Sequence, residues 1–422
     1  MKKISLQTAH RVLLAVGALF FLLGSFQENI WFDESYTVGL VSHSIPDLVR
    51  IALTDVHPPL YYVMLWPVAA LTGAWLPALR IFSALGAFLI LLTGYTHIRR
   101  DFGEKTGFWF SLLALLTPSL FEYSYQIRMY TWAALFVLWG AIYARRFFFT
   151  PSWKNGILFV LSLVAGAYCH HYGLAAACMV NVVLFCFLLV RKRAAVLPWL
   201  GCGVAQIGLF VPGILFFARQ VSMVSQGYWI SFTYPKILLD TLAFPWFPNI
   251  EGIFDDMLFP VWVVGLLLFI LPLTMGVWLA CSKAKACRTG LLALGIYSAI
   301  VAVCLIISLW QPIFHMRYTM VLFGFWLFFL ADVLSRIPWK AVQGAFLVCL
   351  TALTIGNTVS TVQVLYDSKA NVPFDYIRER VQEGDILLYD FVLRGATLVT
   401  HCPDIPQIYY NRDRWAADAY EA

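Results

Sequence analysis

The sequence predicts an all-α polytopic membrane protein, a bundle of about 11 transmembrane helices with interfacial helices in its first outer loop. Three observations predict it. The 422 residues are 61% hydrophobic and only 12% charged, about half the charged fraction of an ordinary soluble domain. Apolar runs long enough to cross a bilayer recur along the chain. The basic residues gather in short clusters between those runs, alternating with stretches nearly free of them, the asymmetry expected of cytoplasmic and outer loops. A water-soluble fold is excluded. So is a nucleic-acid-binding surface, because the formal net charge of +6 is divided among separate clusters and forms no single patch.

The elements follow in order. Eleven apolar runs fall at 12–27, 79–98, 106–121, 129–143, 155–170, 173–190, 195–218, 259–281, 289–310, 319–334 and 341–360. Each approaches the roughly 20 residues that a helical crossing uses. The first lacks a small-residue cleavage site and is expected to be a retained helix rather than a signal peptide. A twelfth run, 58–73, is short, rich in aromatics and holds three prolines, so length does not decide whether it crosses. Charge placement does. Lys2/Lys3/Arg11, Arg99/Arg100/Lys105, Arg145/Arg146/Lys154, Arg191/Lys192/Arg193, Lys283/Lys285/Arg288 and Arg336/Lys340 hold 17 of the 29 basic residues. All of them face the cytoplasm only if the chain crosses once between Asn29 and Arg99, which makes 58–73 an interfacial or re-entrant helix on the outer face. This places the protein in the cytoplasmic (inner) membrane, its N-terminus cytoplasmic and its C-terminus extracytoplasmic. The outer segments are then 28–78, 122–128, 170–172, 219–258, 311–318 and the tail 361–422.

The span centres are almost free of charge, with Arg80, Arg128, Asp332 and Arg336 all near ends. Ion-coupled transporters normally keep Asp, Glu or Lys at mid-membrane despite a cost of at least about 2.5 kcal/mol each, and no internal repeat is visible. The nine cysteines lie mostly in apolar runs without CxxC spacing and read as small core residues. The tail, with "FDYIRERVQEGDILLYD" and "LVTHCPDIPQIYY", reads as a small extracytoplasmic α/β module of helix and short strands.

Chemistry concentrates in the first outer segment. Glu28, Asp33, Glu34, Asp47, Asp55 and His57 fall within thirty residues of an otherwise charge-poor chain. Asp33 and Glu34 follow Trp31 and Phe32, an aromatic pair suited to the interface, and a carboxylate beside an apolar wall is a candidate general base. The same residues admit a purely structural reading in which Asp33 caps a helix running from Glu34. Asp55 and His57 precede a diproline that fixes the entry of the next helix, with Tyr61 just beyond. In the long loop 219–258, "QGYWISFTYPK" and "FPWFPNIEGIFDD" suit an interfacial aromatic belt or the stacking of a ligand on aromatic faces.

"WFDES" followed by "DVHPPLYY" resembles the first outer loop of the bacterial glycosyltransferases related to dolichyl-phosphate-mannose protein mannosyltransferases, of the GT-C superfamily and family 39-like. "LPALRIFSALGAFLILLTGY" resembles the span after that loop, "EYSYQIRMYTWAAL" the second outer loop with its arginine, and "GAYCHHYG" the His/Tyr turn common in this group. The similarity covers about the first 220 residues, while the second half matches mainly in hydropathy and in "PIFHMRY". The resemblance implies a GT-C domain over 1–360 with its catalytic loop at 28–78. It implies transfer of a hexosyl or pentosyl group, with inversion, from a polyprenyl-phosphate sugar to a lipid, polysaccharide or protein acceptor on the outer face. Asp33 matches the family's general base, and Glu34 would orient acceptor or base. A leaving phosphate needs outer cations, and Arg128, Arg317, Arg80 and His171 are the available ones. Asp55, His57, Tyr61, Tyr130 and His170 complete the expected substrate-binding set. Arg128 and Arg317 can equally be interfacial arginines that snorkel from helix ends.

No cofactor is firmly predicted. A divalent metal on His170, His171, His57, Asp55, Glu34 and His315 is possible, although no HExxH or CxxC spacing supports it. Two rival functions stand beside the transferase. One is a flippase for polyprenyl-linked sugar, which would move labelled lipid across the bilayer without forming glycosidic bonds. The other is a zinc-dependent membrane hydrolase, which strong chelators would silence.

Overall fold

The structure is a computed structural model, and it describes residues 5–225, 230, 234–282, 286–389 and 392–409. Among these residues eight helices are long and apolar enough to cross a membrane: Leu76–Phe102, Tyr130–Phe149, His171–Arg191, Arg193–Ser222, Asp255–Cys281, Arg288–Ile307, Met316–Leu334 and Lys340–Leu365. Leu6–Phe20, Trp153–Cys169 and Glu104–Leu115 are shorter. Each of the eleven apolar runs therefore contains a helix, and the protein is a multi-pass membrane protein. Part of the basic cluster at 283–288 lies outside the described residues, as does part of the aromatic stretch at 226–236.

Two runs differ from expectation in where their helices stop. Ser5 accepts a hydrogen bond from the Thr8 amide and starts the first helix at Leu6, six residues ahead of the apolar run. The run 106–121 breaks in two, because Pro118 cannot donate to the preceding turn. Glu104–Leu115 ends there, and a separate helix, Pro118–Tyr125, carries the chain toward the second loop.

Burial sorts the bundle. Phe323–Leu334 is buried at every residue and forms its centre, whereas Val196–Ser225 leaves Leu197, Val204, Ile207 and Leu215 exposed, as an apolar helix facing lipid does. Leu60–Thr72 has 13 residues and is about 20 Å long at 1.5 Å per residue, too short to cross alone. It packs beside Phe32–Ser42 and Leu76–Thr93. The tail builds Val372–Arg380, strand Leu387–Tyr389, Val392–His401 and strand Gln407–Tyr409, the two strands pairing in parallel. Val392–His401 packs against Phe32–Ser42, so the tail lies over the acid-rich loop.

Four of the helices place one end of the bundle against the other. Arg80, Arg128, His171 and Arg317 lie at or next to the starts of Leu76–Phe102, Tyr130–Phe149, His171–Arg191 and Met316–Leu334. Arg99/Arg100, Arg145/Arg146, Arg191 and Arg336 lie at or just past their far ends. Arg128 and Arg145 are 17 positions apart, about 25 Å along a helix.

Candidate active site

Asp33 sits in the first turn of Phe32–Ser42. The helix begins two residues earlier than the capping reading requires: Trp31 is the N-cap and makes no side-chain cap hydrogen bond. The Asp33 carboxylate is thus left for other contacts. Its Oδ2 is buried and accepts no hydrogen bond among the described residues, but lies 3.5 Å from Arg317 Nη1 and 3.9 Å from Arg128 Nη2.

The neighbouring acid has a different fate. Glu34 turns the other way on the helix and receives Arg80 Nε at 3.2 Å on Oε1 and Nη2 at 3.4 Å on Oε2, while the Ile127 amide donates to Oε1 at 3.1 Å. Arg80, 0% exposed, also donates to the carbonyls of Gln27 and Asn29. Its guanidinium therefore ties the entry to the first loop to the Asp33 helix, and Glu34 carries the tie on to the second loop through the Ile127 amide. No side-chain nitrogen of Arg80 lacks a protein acceptor.

Arg128 leaves the second loop just before Tyr130–Phe149. Its Nη1 donates to the Asp33 carbonyl at 3.2 Å and to Thr37 Oγ1 at 3.3 Å, and Nη2 lies 3.3 Å from His57 Nδ1. His57 Nδ1 is 3.6 Å from Asp55 Oδ2, which also accepts from the Tyr62 hydroxyl at 3.2 Å. Burial pushes the His57 imidazole below its ordinary pKa, with the Arg128 charge adding to the effect against the pull of Asp55. Burial works the other way on Asp55, but the His57 hydrogen bond and the charges of His57 and Arg128 outweigh it and bring that carboxyl below its usual range.

His170 closes the site. It interrupts the reversal between Trp153–Cys169 and His171–Arg191, where its Nδ1 accepts from the Tyr172 amide at 3.1 Å. That reversal needs Gly173: a Cβ there would come 2.0 Å from the Gly166 carbonyl oxygen, whereas a Cβ on Gly166 would meet Val137 of the neighbouring helix at 3.1 Å. The His170 ring lies 5.6 Å from His57, 5.8 Å from Tyr130 and 5.0 Å from Tyr318. Burial lowers its pKa well below the ordinary value.

The structure therefore brings Asp33, Arg128, Arg317, Asp55, His57, Tyr130 and His170 together. Three expected substrate-binding residues stand apart from Asp33. Arg80 belongs to Glu34. Tyr61 donates to, or accepts from, Ser83 at 2.7 Å. His171 faces Gln220, Nε2 to Oε1 at 2.7 Å, and the Gln220 amide in turn donates to the carbonyls of Ala52 and His57. Sequence reasoning passed over Thr37, Tyr62, Gln220 and Tyr318. Tyr62 and Tyr318 are the last residues of the quoted motifs "DVHPPLYY" and "PIFHMRY", and Gln220 is, with Gln206, one of two amides in a long apolar helix. Among the described residues no group of three or more His, Cys, Asp and Glu side chains is placed to hold a metal ion. Of the candidate ligands, Glu34 binds Arg80 and His315 Nε2 lies 2.8 Å from Glu251.

Beside Asp33 a cavity of about 480 Å³ opens between Trp31, Glu34, Glu122, Tyr123, Glu251 and Arg317. Burial raises the pKa of Glu122, which accepts from the Tyr125 hydroxyl at 2.5 Å. Arg317 caps the cavity from the Asp33 side, its guanidinium 5.8 Å from the Trp31 ring and 5.7 Å from that of Tyr318.

Nearly the whole chain aligns with solved structures. ArnT from Cupriavidus metallidurans in the apo state aligns with a TM-score of 0.61 at 11% identity, over 97% of this chain and 87% of that one. The same protein bound to undecaprenyl phosphate aligns at 0.57 and 12%, over 98% and 88%. The chain has the GT-C fold. The Archaeoglobus fulgidus oligosaccharyltransferase, in complex with Zn and sulfate, aligns at 0.51 and 12%, over 94% of this chain and 62% of that one. No family model matches the sequence, and no curated protein does. At these identities the likeness is one of fold, and the chemistry rests on this chain's own residues.

Proposed function

We propose that the protein is an inverting glycosyltransferase that takes a sugar from a polyprenyl-phosphate donor and delivers it to an acceptor at the outer face of the inner membrane. The observation that carries the reading is Asp33 Oδ2, buried, accepting no hydrogen bond among the described residues and facing two guanidiniums. A base with an open acceptor atom and cations beside it is what displacement of a phosphate by a hydroxyl or amine requires. The solved neighbour bound to undecaprenyl phosphate supports a polyprenyl phosphate as the leaving group.

In this mechanism the acceptor O–H or N–H lies against Asp33 Oδ2, its heteroatom attacks the anomeric carbon from the face opposite the phosphate, and the proton passes to Asp33 as the new bond forms. The C–O bond to the phosphate breaks with its electron pair on the phosphate oxygen. Arg128 and Arg317 stabilise the charge that collects there. Arg128 Nε, His170 Nε2 and the Tyr130 hydroxyl are buried without hydrogen-bond partners among the described residues, and are suited to donate to phosphate or sugar oxygens. Glu34 acts through Arg80 by holding the helix that presents Asp33.

The test uses purified protein in lipid, a panel of radiolabelled polyprenyl-phosphate monosaccharides, native membrane extract as the source of acceptor, and the Asp33→Asn variant. Label that leaves the donor only with extract and only with Asp33 present supports the transferase. Label that crosses the bilayer with the donor intact overturns it in favour of lipid transport.

A further inference from the structure

The basic end of the bundle carries two adjoining cavities unrelated to Asp33. One is an apolar crevice of about 700 Å³ whose walls include Ala141, Phe148, Leu184, Phe187, Leu292 and Phe328. Arg145, Arg191 and Arg288 also line it. The other is a polar cavity of about 530 Å³ lined by Arg100, Asp101, Arg145, Arg146 and Lys154 among others. Arg145 and Phe149 line both cavities, so the polar space and the apolar one lie against the same two side chains. The Arg145 guanidinium is held over the rings of Phe102 at 4.3 Å and Phe149 at 4.7 Å, fixed at the seam between the cavities.

The charges are strongly one-sided. Among the described residues Asp101 is the sole carboxylate lining either cavity, and Arg146 claims it with Nε to Oδ2 at 2.8 Å and Nη2 to Oδ1 at 3.1 Å. Arg100, Arg145, Lys154, Arg191 and Arg288 make no ion pair among the described residues. Loop charges on a cytoplasmic face need no cavity at all. Here they surround one, and it adjoins an apolar crevice between helices that lie in the membrane. A polar basic chamber beside an apolar crevice complements an amphiphile with an anionic head, and the abundant anionic amphiphiles of a bilayer are its phospholipids.

We propose that this end of the bundle holds one anionic diacyl phospholipid, its phosphate on Arg145 and Lys154 and its acyl chains in the crevice walled by Phe148, Leu184 and Phe328. The site stands whether or not the opposite end transfers sugar. The lipid fills the crevice and neutralises cations that make no ion pair among the described residues, so it binds as a resident component of the fold.

Native mass spectrometry of the full chain, released from micelles doped equally with phosphatidylglycerol and phosphatidylcholine, tests the proposal. The wild type is expected to retain one phosphatidylglycerol at least tenfold more often than phosphatidylcholine. Arg145→Ala/Lys154→Ala should lower that preference at least tenfold, and the solvent-exposed pair Arg191→Ala/Arg288→Ala should lower it even if the first variant fails to fold. Ala141→Trp, which fills the crevice and leaves every charge in place, should remove the adduct. Lys105→Ala/Lys340→Ala removes two cations of the same end that line neither cavity and should bind as the wild type does. Equal losses in that control overturn the proposal in favour of general surface attraction. So does a wild type without preference, or soluble glycerol phosphate competing as well as the lipid.

Discussion

Replacing Glu34 by Gln tests whether the acid beside Asp33 is a structural residue. Glu34 is 2% exposed and Arg80 0%, so water screens the pair little. Gln keeps an oxygen for the Ile127 amide, which leaves charge as the main loss, and removing one partner of a buried pair costs about 3–5 kcal/mol. Glu34→Ala also strands that amide and should cost a further ~1–3 kcal/mol. Unfolding by SDS titration in mixed micelles reads both values, and Arg80→Gln completes a double-mutant cycle. The expected coupling between Glu34→Gln and Arg80→Gln is above ~1 kcal/mol, because the double variant no longer buries an unpaired charge. Strictly additive losses, or a Glu34→Gln protein as stable as the wild type, would show that the knot among Gln27, Glu34, Arg80 and Ile127 does not hold the loop, and the separation of roles between Asp33 and Glu34 would fall with it.

The remaining predictions separate chemistry from folding. Asp33→Asn should lower transfer at least about 100-fold, the lower range for loss of a general base, while losing less stability in the same SDS titration than Glu34→Gln does; unchanged turnover removes Asp33 from the mechanism. Arg128→Lys should cut transfer at least tenfold at saturating donor, since an ammonium cannot keep the contacts to the Asp33 carbonyl, Thr37 and His57 at once. His57 and His170 have their pKa lowered from 6.5 in the fold, so the unfolded chain takes up protons first and stability should fall as pH drops below about 6.5. His170→Asn, which can still accept the Tyr172 amide as a helix cap, should flatten that fall when thermal inactivation is followed from pH 7.5 to 5. Gly173→Ala drives a Cβ to 2.0 Å from the Gly166 oxygen and should cost at least ~1–3 kcal/mol, visible as a lower yield of monodisperse protein.

The bundle was legible because hydropathy and charge placement are statements about solvent, and a bilayer enforces them residue by residue. A cytoplasmic cluster must return after each pair of crossings, and that parity is what reduced 58–73 to a short helix without any knowledge of packing. What the sequence withheld was pairing. Nothing in it says that Arg80 will meet Glu34, 46 positions away, and so Arg80 stood among the cations available to a phosphate when its guanidinium is already spent on a carboxylate and two carbonyls. The two histidines of "GAYCHHYG" looked equivalent for a similar reason. A helix starting at His171 sends adjacent side chains to different sides, His170 toward Tyr130 and His57, His171 toward Gln220, and the position of that start depends on the Gly166–Gly173 contact. Asp33 and Glu34 diverge by the same rule: one step along a helix is about 100° of rotation, enough to give one acid an arginine knot and the other an open site.

That divergence also bears on why the site uses arginine. A transferring enzyme gains rate only from contacts that strengthen as charge develops on the leaving phosphate, and a mobile cation must first be ordered to make them. Arg128 is ordered in advance. Its Nη1 is held by the Asp33 carbonyl and Thr37, and its Nη2 stands between His57 Nδ1 and the Asp33 carboxylate. The planar fork leaves Nε buried with no hydrogen-bond partner among the described residues. On the proposed reading, therefore, the helix that presents the base also fixes the cation for the leaving group, and the relative placement of the two is set by backbone geometry rather than by two independent side chains. Displacing Phe32–Ser42 should then damage proton transfer and phosphate stabilisation together, whereas changing Arg317, which reaches Asp33 from Met316–Leu334 at 3.5 Å, should leave the Arg128–Asp33 arrangement in place. A double variant of Asp33 and Arg128 should accordingly lose less activity than the product of the single losses, while Asp33 and Arg317 should combine more nearly independently.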